Sequence, residues 1–145
     1  PIDISTTSLF IVKNKEKLSI YEHTKIKIMN FNMKKEITYE DYSKIQIIVG
    51  TVLKVSKNEK ARKPSLVVEV DFGSEIGVRK SSAQITHYYN SDNLVGKQVI
   101  GVCNFPKKNI AGVESEVLIL GAIEKDGKVV LVHPSQKTEN GLEIA

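Results

Sequence analysis

Residues 78–122 read VRKSSAQITHYYNSDNLVGKQVIGVCNFPKKNIAGVESEVLILGA, and this stretch carries the strongest signal for the fold. Its two polar, basic clusters, residues 79–82 and 104–108, lie on either side of a short apolar strand, and a polar pair at 115–116 precedes a longer one. Short strands separated by polar loops are typical of small barrels that bind ligands through their loops. The stretch does not indicate an enzyme, because no nucleophile, base and orienting acid occur together.

Apolar residues in loose alternation continue this β pattern over most of the chain. Strands are predicted at 45–55, 66–72, 78–81, 97–103, 116–123 and 129–133. Gly50 lies inside the first strand, where a glycine predicts a bulge or bend. Short helices are predicted at 38–42, from the capping-box spacing of Thr38 and Asp41, and at 83–89. The fold class is therefore all-β with short helices, and the number of strands suits a five-stranded oligonucleotide/oligosaccharide-binding (OB) barrel.

Composition separates residues 1–36 from the rest of the chain. They contain no Gly, show neither strand nor helix periodicity, and hold seven Lys against four acids, which leaves residues 37–145 with a net charge of only +1. We expect an N-terminal extension at 1–36 that is flexible or non-native, with Met33 or Met29 as the natural start. The domain is expected at 37–145, and any basic surface on it must come from local clustering.

Several classes of protein receive no support from the sequence. No apolar run approaches the roughly 18–20 residues of a membrane helix, so membrane insertion is not expected. One cysteine, Cys103, allows no intrachain disulfide and favours a reducing compartment, the cytoplasm, with Cys103 as a buried small hydrophobe. The scattered histidines predict no metal site, and no glycine-rich nucleotide motif predicts a cofactor.

A basic loop is predicted after the first strand, in the position that OB barrels use for ligands. Its cations suit phosphate contacts, with affinity that falls steeply with salt, and they equally suit a loop kept soluble by charge. The residues for possible phosphate contacts are Lys57, Lys60, Arg62 and Lys63.

The remaining candidate binding residues belong to the stretch quoted first. Cations mixed with hydroxyl and amide groups can bind phosphate oxygens or the backbone of an extended peptide. Alternatives remain open for some of them: Ser81 or Ser82 would cap a following helix, Phe105 would be core or an exposed docking ring, and residues 115–116 would shape their loop. The candidates are Arg79, Lys80, Ser81, Ser82, Gln84, Asn104, Phe105, Lys107, Lys108, Ser115 and Glu116.

Four segments resemble a known family: ITYEDYSKIQIIVGTV, DFGSEIGVRKSSAQIT, LVGKQVIGVCNFPKKNIAGVESEVLILGA and VVLVHPSQKTENG. They resemble the CsaA-type proteins of the tRNA-binding-domain family, which also includes the C-terminal domain of many methionyl-tRNA synthetases. The resemblance implies an OB barrel with N- and C-terminal extensions that form a homodimer. It also implies a non-enzymatic, export-related chaperone for unfolded or precursor polypeptides, with tRNA binding from the wider family. The alternative is a tRNA-binding protein or trans-acting module associated with aminoacyl-tRNA synthetases.

Two departures from the family pattern decide which ligand, polypeptide or tRNA, the sequence favours. Residues 46–50 read Gln-Ile-Ile-Val-Gly where the family usually has Asp-Ile-Arg-Val-Gly, and residues 107–109 read Lys-Lys-Asn where it often has Pro-Arg-Arg. Arginine grips phosphate with two hydrogen bonds and stacks on bases, whereas lysine does neither. The loss of these arginines favours polypeptide over tRNA as the ligand.

Overall fold

The computed structural model describes residues 33–145, and its compact unit is Tyr39–Ala145. Most of the predicted N-terminal extension lies outside the described residues, so its character and its expected start remain predictions. The elements of the described part are α1 (Tyr39–Ser43), β1 (Ile47–Lys57), β2 (Leu66–Asp71), α2 (Gly73–Ile76), β3 (Val78–Ala83), α3 (Ser91–Leu94), β4 (Gln98–Val102), β5 (Lys108–Ile110), β6 (Val113–Ser115), β7 (Leu118–Ile119), β8 (Gly121–Ile123) and β9 (Val129–Leu131).

Five strands form one antiparallel sheet in the order β3-β2-β1-β4-β7, and the hairpins β5–β6 and β8–β9 form two small sheets. β1 pairs with β4 through its first half, from Ile47 to Thr51, and with β2 through its second half, from Thr51 to Lys57. One long strand that changes partner in this way bends the sheet toward closure. The predicted all-β fold with a five-stranded OB-like barrel is confirmed.

Two glycines lie where the sheet folds around Phe72, whose side chain is fully buried. A Cβ atom on Gly50 would lie 2.6 Å from Val70 Cγ1 and 2.7 Å from Phe72 Cδ1, and a Cβ on Gly101 would lie 2.7 Å from Val117 Cγ2. The bulge predicted at Gly50 lies instead between Val52 and Lys54, where the register with β2 shifts. Gly50 is required for close packing, because the aromatic ring occupies the space of a side chain.

The outer edge of β3 has no strand partner in its sheet within residues 33–145, and residues 115–116, the last residue of β6 and the one after it, cover this edge instead. The Lys80 amide donates to the Glu116 carboxylate at 3.1 Å, the Glu116 amide donates to the Lys80 carbonyl at 2.8 Å, and the Ser82 amide donates to Ser115 Oγ at 3.2 Å. Backbone groups at a sheet edge need partners, and these three bonds supply them. We call this junction of β3 with residues 115–116 the seam.

The C-terminal segment pairs with the first half of β1 on the side that β2 leaves open. The Val49 amide donates to the Leu142 carbonyl at 3.0 Å, and the Gly141 amide donates to the Val49 carbonyl at 2.8 Å. The Ile144 amide donates to the Ile47 carbonyl at 2.9 Å. We call residues 138–144 the strap, because they complete the hydrogen bonding of β1.

Two predicted elements differ from the structure. The helix predicted at 83–89 is wrong: β3 continues to Ala83, and the next helix, α3, begins after Asn90, whose side chain accepts hydrogen bonds from the Asp92 and Asn93 amides. The single strand predicted at 116–123 is divided at Leu120, whose amide donates to Ile100 while its carbonyl accepts from Val132. The chain changes partner there, from β4 to β9.

We predict that Gly50→Ala destabilises the protein by about 1–3 kcal/mol, because the added methyl group displaces Val70 and Phe72 from the packed core. Urea unfolding followed by circular dichroism measures the change. Ser56→Ala, at the exposed end of the same strand, is the matched control and is expected to change stability by less than about 0.5 kcal/mol. Equal effects of the two substitutions would contradict this account of Gly50.

Candidate functional site

The β1–β2 loop has an ordered backbone organised by Asn58. The Asn58 amide donates to the Ser65 carbonyl at 3.0 Å, and Asn58 Oδ1 accepts from the Lys60 amide at 3.2 Å. In the part of the chain that the structure describes, the loop cations have no acid within ion-pair distance, and all four side chains are exposed. These unneutralised cations are the predicted phosphate contacts Lys57, Lys60, Arg62 and Lys63.

The same loop rests on the β5–β6 hairpin. Asn58 Nδ2 donates to the Ile110 carbonyl at 3.4 Å, and the Lys60 side chain passes over Gly112, where a Cβ would lie 3.4 Å from Lys60 Cδ. A groove of about 430 Å³ follows the loop and reaches Thr86 beyond the end of β3. Loop, hairpin and groove therefore form one surface, which we call the loop face. The sequence gives a weak signal for Asn58, a short amide residue at a loop entrance.

At the seam, the Glu116 carboxylate lies within ion-pair distance of cations from two other segments. Its Oε1 lies 3.3 Å from Lys107 Nζ and 4.0 Å from Arg79 Nη1, and Lys107 Nζ also lies 3.9 Å from Glu114 Oε1. Burial alone would raise the pKa of Glu116. The Lys80 amide, Lys107 and Arg79 together outweigh burial and hold this pKa below its ordinary value. Glu116 therefore stays ionised at neutral pH and compensates part of the positive charge of Arg79 and Lys107.

The candidate serines Ser81, Ser82 and Ser115 lie in strands β3 and β6. Ser81 is buried, and Ser115 is buried while its Oγ accepts the Ser82 amide, so the predicted helix cap by Ser81 or Ser82 is wrong: no helix begins there. Lys80 and Gln84 are exposed, at the middle and just beyond the end of β3. Lys80 lines an open groove of about 350 Å³, whose other lining residues are Val67, Gly112, Val113, Glu114 and Glu116.

Asn104 and Phe105 lie at the end of β4 and have different roles. Asn104 Oδ1 accepts from the Gln46 amide at 2.9 Å and its Nδ2 donates to the Lys44 carbonyl at 2.7 Å, so this side chain anchors the segment that enters β1. Phe105 is 51% exposed, which makes its reading as a core residue wrong. The ring is available for contact with a ligand, as is the exposed side chain of Lys108 at the start of β5.

The structure therefore separates the predicted site residues into groups. Arg79, Lys80, Lys107 and residues 115–116 meet at the seam, whereas the four loop cations lie on the loop face.

Half-burial of Cys103 raises its thiol pKa to about 11, although Arg79 lowers it, so this thiol is not a nucleophile at neutral pH. Within residues 33–145 no cluster of His, Cys, Asp and Glu is arranged to hold a metal, and no helix could span a membrane. The arrangement provides hydrogen bonding, charge and an exposed ring, which are means of binding.

Comparison with known proteins assigns the class. A family model described as "Putative tRNA binding domain" matches residues 47–143. The chain therefore belongs to the tRNA-binding-domain family, as its sequence resemblance predicted.

Within this class, two solved CsaA structures are matched over 100% of their length. The CsaA chaperone protein from Picrophilus torridus is 49% identical and covers 76% of this chain with a TM-score of 0.71. The chaperone CsaA from Bacillus anthracis is 41% identical and covers 77% of this chain with a TM-score of 0.73. The methionine–tRNA ligase of Porphyromonas gingivalis is 37% identical over 75% of this chain. The chain spans 16% of that ligase's length, so the likeness concerns one segment of the enzyme.

We predict that Glu116→Gln lowers stability by about 1 kcal/mol at neutral pH, because the amide keeps the shape but loses the charge that holds Lys107 and Arg79. The folded-state pKa of Glu116 lies below the unfolded value. Its contribution is therefore complete above the unfolded pKa and is lost as pH falls through the folded pKa. Urea unfolding from pH 7 to about pH 3 should show wild type and variant converging.

Glu114→Gln is the matched control, since Glu114 is two residues away on the same segment and its side chain is 63% exposed. It should change stability by less than about 0.5 kcal/mol. A Glu116→Gln deficit of unchanged size at low pH would show that the charge is not what stabilises the seam.

Proposed function

We propose that this protein is a CsaA-type chaperone, a cytoplasmic, export-related homodimer that holds unfolded or precursor polypeptides without catalysing a reaction. The proposal is supported by the full-length match to two CsaA structures, against a match to only 16% of a methionine–tRNA ligase. It is also supported by the chemistry of the seam, where hydrogen-bonding groups and charges of both signs lie along an open groove.

The observation that carries the proposal is the pairing of Arg79 and Lys107 with the Glu116 carboxylate, which compensates one of their two positive charges. A phosphodiester polymer is attracted by cations that are free to replace its counterions, and these two are already paired. An extended polypeptide needs hydrogen-bond partners for its backbone and apolar contacts for its side chains. Lys80 and Glu114 at the groove supply the former, and the exposed ring of Phe105 supplies the latter.

RNA is the second candidate ligand, and the loop face favours it. Its four cations lack acid partners among the described residues and extend from a backbone that Asn58 holds in place. Such a loop binds phosphates with little loss of backbone entropy, whatever the sequence of the RNA. Under this proposal the two ligands use different surfaces, the seam with Phe105 for polypeptide and the loop face for tRNA.

Two variants separate the surfaces. We predict that the triple variant Lys60→Ala, Arg62→Ala, Lys63→Ala weakens tRNA binding by roughly tenfold or more at low salt and reduces the salt slope by about one unit for each contacting cation. Its affinity for an unfolded polypeptide should change less than about twofold. Phe105→Ala should weaken binding of the unfolded polypeptide and leave the affinity for tRNA nearly unchanged, because only the polypeptide contacts the ring. Fluorescence anisotropy with labelled tRNA and a labelled unfolded polypeptide, each over a salt series, gives both affinities.

The control for charge is the triple variant Lys97→Ala, Lys125→Ala, Lys137→Ala, which removes the same net charge from other parts of the chain. It should leave both affinities within about twofold of wild type. If the loop variant lost affinity for tRNA and for polypeptide to the same extent, the two ligands would share one surface. Tight tRNA binding without any polypeptide binding would reject the chaperone proposal.

The homodimer has its own prediction, which concerns the β8–β9 hairpin. The side chain of Ile123 is 77% exposed, an apolar surface that a partner would cover. Light scattering at micromolar concentration should give the mass of a dimer for wild type and of a monomer for Ile123→Lys. Leu53→Lys, which places the same charge on an exposed apolar position of β1, should remain dimeric. A monomeric wild-type protein would reject the dimer.

A further inference from the structure

The sequence contains one Asn-Gly dipeptide, Asn140-Gly141, and the structure places it in the strap along β1. An asparagine side chain loses ammonia most readily before glycine, because no side chain hinders the following backbone nitrogen. We propose that Asn140-Gly141 is a covalent modification site whose reactivity is controlled by attachment of the strap to β1.

The reaction needs only water. The Gly141 backbone nitrogen loses its proton and attacks Asn140 Cγ, a nitrogen–carbon bond forms, the Cγ–Nδ2 bond breaks, and ammonia leaves a succinimide ring. Water then opens the ring at either carbonyl carbon. Opening at Cγ gives aspartate in an unchanged main chain. Opening at the main-chain carbonyl gives isoaspartate, in which the chain passes through the former side chain and is one carbon longer.

In the folded protein both reacting groups are held by hydrogen bonds. The Gly141 amide donates to the Val49 carbonyl at 2.8 Å. Asn140 Oδ1 accepts from Thr51 Oγ1 at 2.7 Å and from Gln98 Nε2 at 3.2 Å. The ring can close only when the nitrogen gives up its proton and the side chain rotates toward it, and both movements break these bonds. Deamidation therefore proceeds from the detached strap.

Both residues of the pair have a place in the fold. Gly141 has φ of 91°, in the left-handed region, and a Cβ there would lie 3.0 Å from the Phe72 carbonyl oxygen. Asn140 supplies the acceptor for Thr51 and Gln98. A side chain at position 141 would therefore be strained, and a residue at position 140 without an oxygen acceptor would lose both of these contacts.

The two products should differ in their effect on the strap. Aspartate keeps an oxygen acceptor and the normal chain length, so the strap reattaches. Isoaspartate displaces the next amide by one carbon, so the bonds of Gly141, Leu142 and Ile144 to β1 cannot all form in register. The backbone groups of residues 47–49 then become an unpaired strand edge, which exposes the protein to association through that edge.

The test follows isoaspartate at position 140 by peptide mapping and mass spectrometry during incubation of the full chain. We predict formation at least about tenfold slower in the folded protein than in the same chain held unfolded in urea, because reaction waits for local opening. Gln98→Ala should accelerate it severalfold, and Thr51→Ala serves the same purpose if Gln98→Ala does not fold. Gln136→Ala, an exposed glutamine for which the structure records no bond to the strap, is the control and should react at the wild-type rate.

Hydrogen exchange supplies a second readout. The Val49 and Ile144 amides should exchange rapidly in the isoaspartyl protein and slowly in Asn140→Asp, which carries the new charge on an unmodified backbone. Equal rates of isoaspartate formation in folded and unfolded chains would overturn the proposal. If both amides exchanged as slowly in the isoaspartyl protein as in wild type, the proposed detachment of the strap by isoaspartate would be wrong.

Discussion

The structure depends on how the outer edge of β3 is closed. Three hydrogen bonds with residues 115–116 satisfy backbone groups of Lys80 and Ser82 that no strand of residues 33–145 covers. Each such group left unpaired away from water would cost about 1–3 kcal/mol, and an open edge would invite association with other chains. Closure by the Ser115 hydroxyl and by the carboxylate and backbone amide of Glu116 leaves a groove beside the seam.

Because Glu116 closes the barrel, it also decides where positive charge is available. Its carboxylate accepts from the Lys80 amide, and its negative charge attracts Lys107 and Arg79. These cations are therefore occupied by the fold. Among residues 33–145, the cations of the β1–β2 loop have no acid within ion-pair distance, so the two surfaces suit ligands of different chemistry.

β1 has a comparable double role at the other side of the barrel. Its first half lies between β4 and the strap, and its second half pairs with β2 from Thr51 onward, with a bulge between Val52 and Lys54. Gly50 lies where the ring of Phe72 crosses the strand. The strap is thus part of the sheet, and the stability of this edge depends on the hydrogen bonds that Asn140 and Gly141 contribute.

The sequence by itself determined the fold class, most strand positions and the family, because alternation, turn glycines and motifs are local properties of the chain. It also located the charged and hydroxyl side chains that lie at the seam and on the loop face. Only the tertiary structure decided their roles. Lys107 and Arg79 pair with Glu116, Asn104 anchors the entry to β1, and Phe105 is exposed. These outcomes depend on contacts between residues far apart in sequence, which no local pattern encodes.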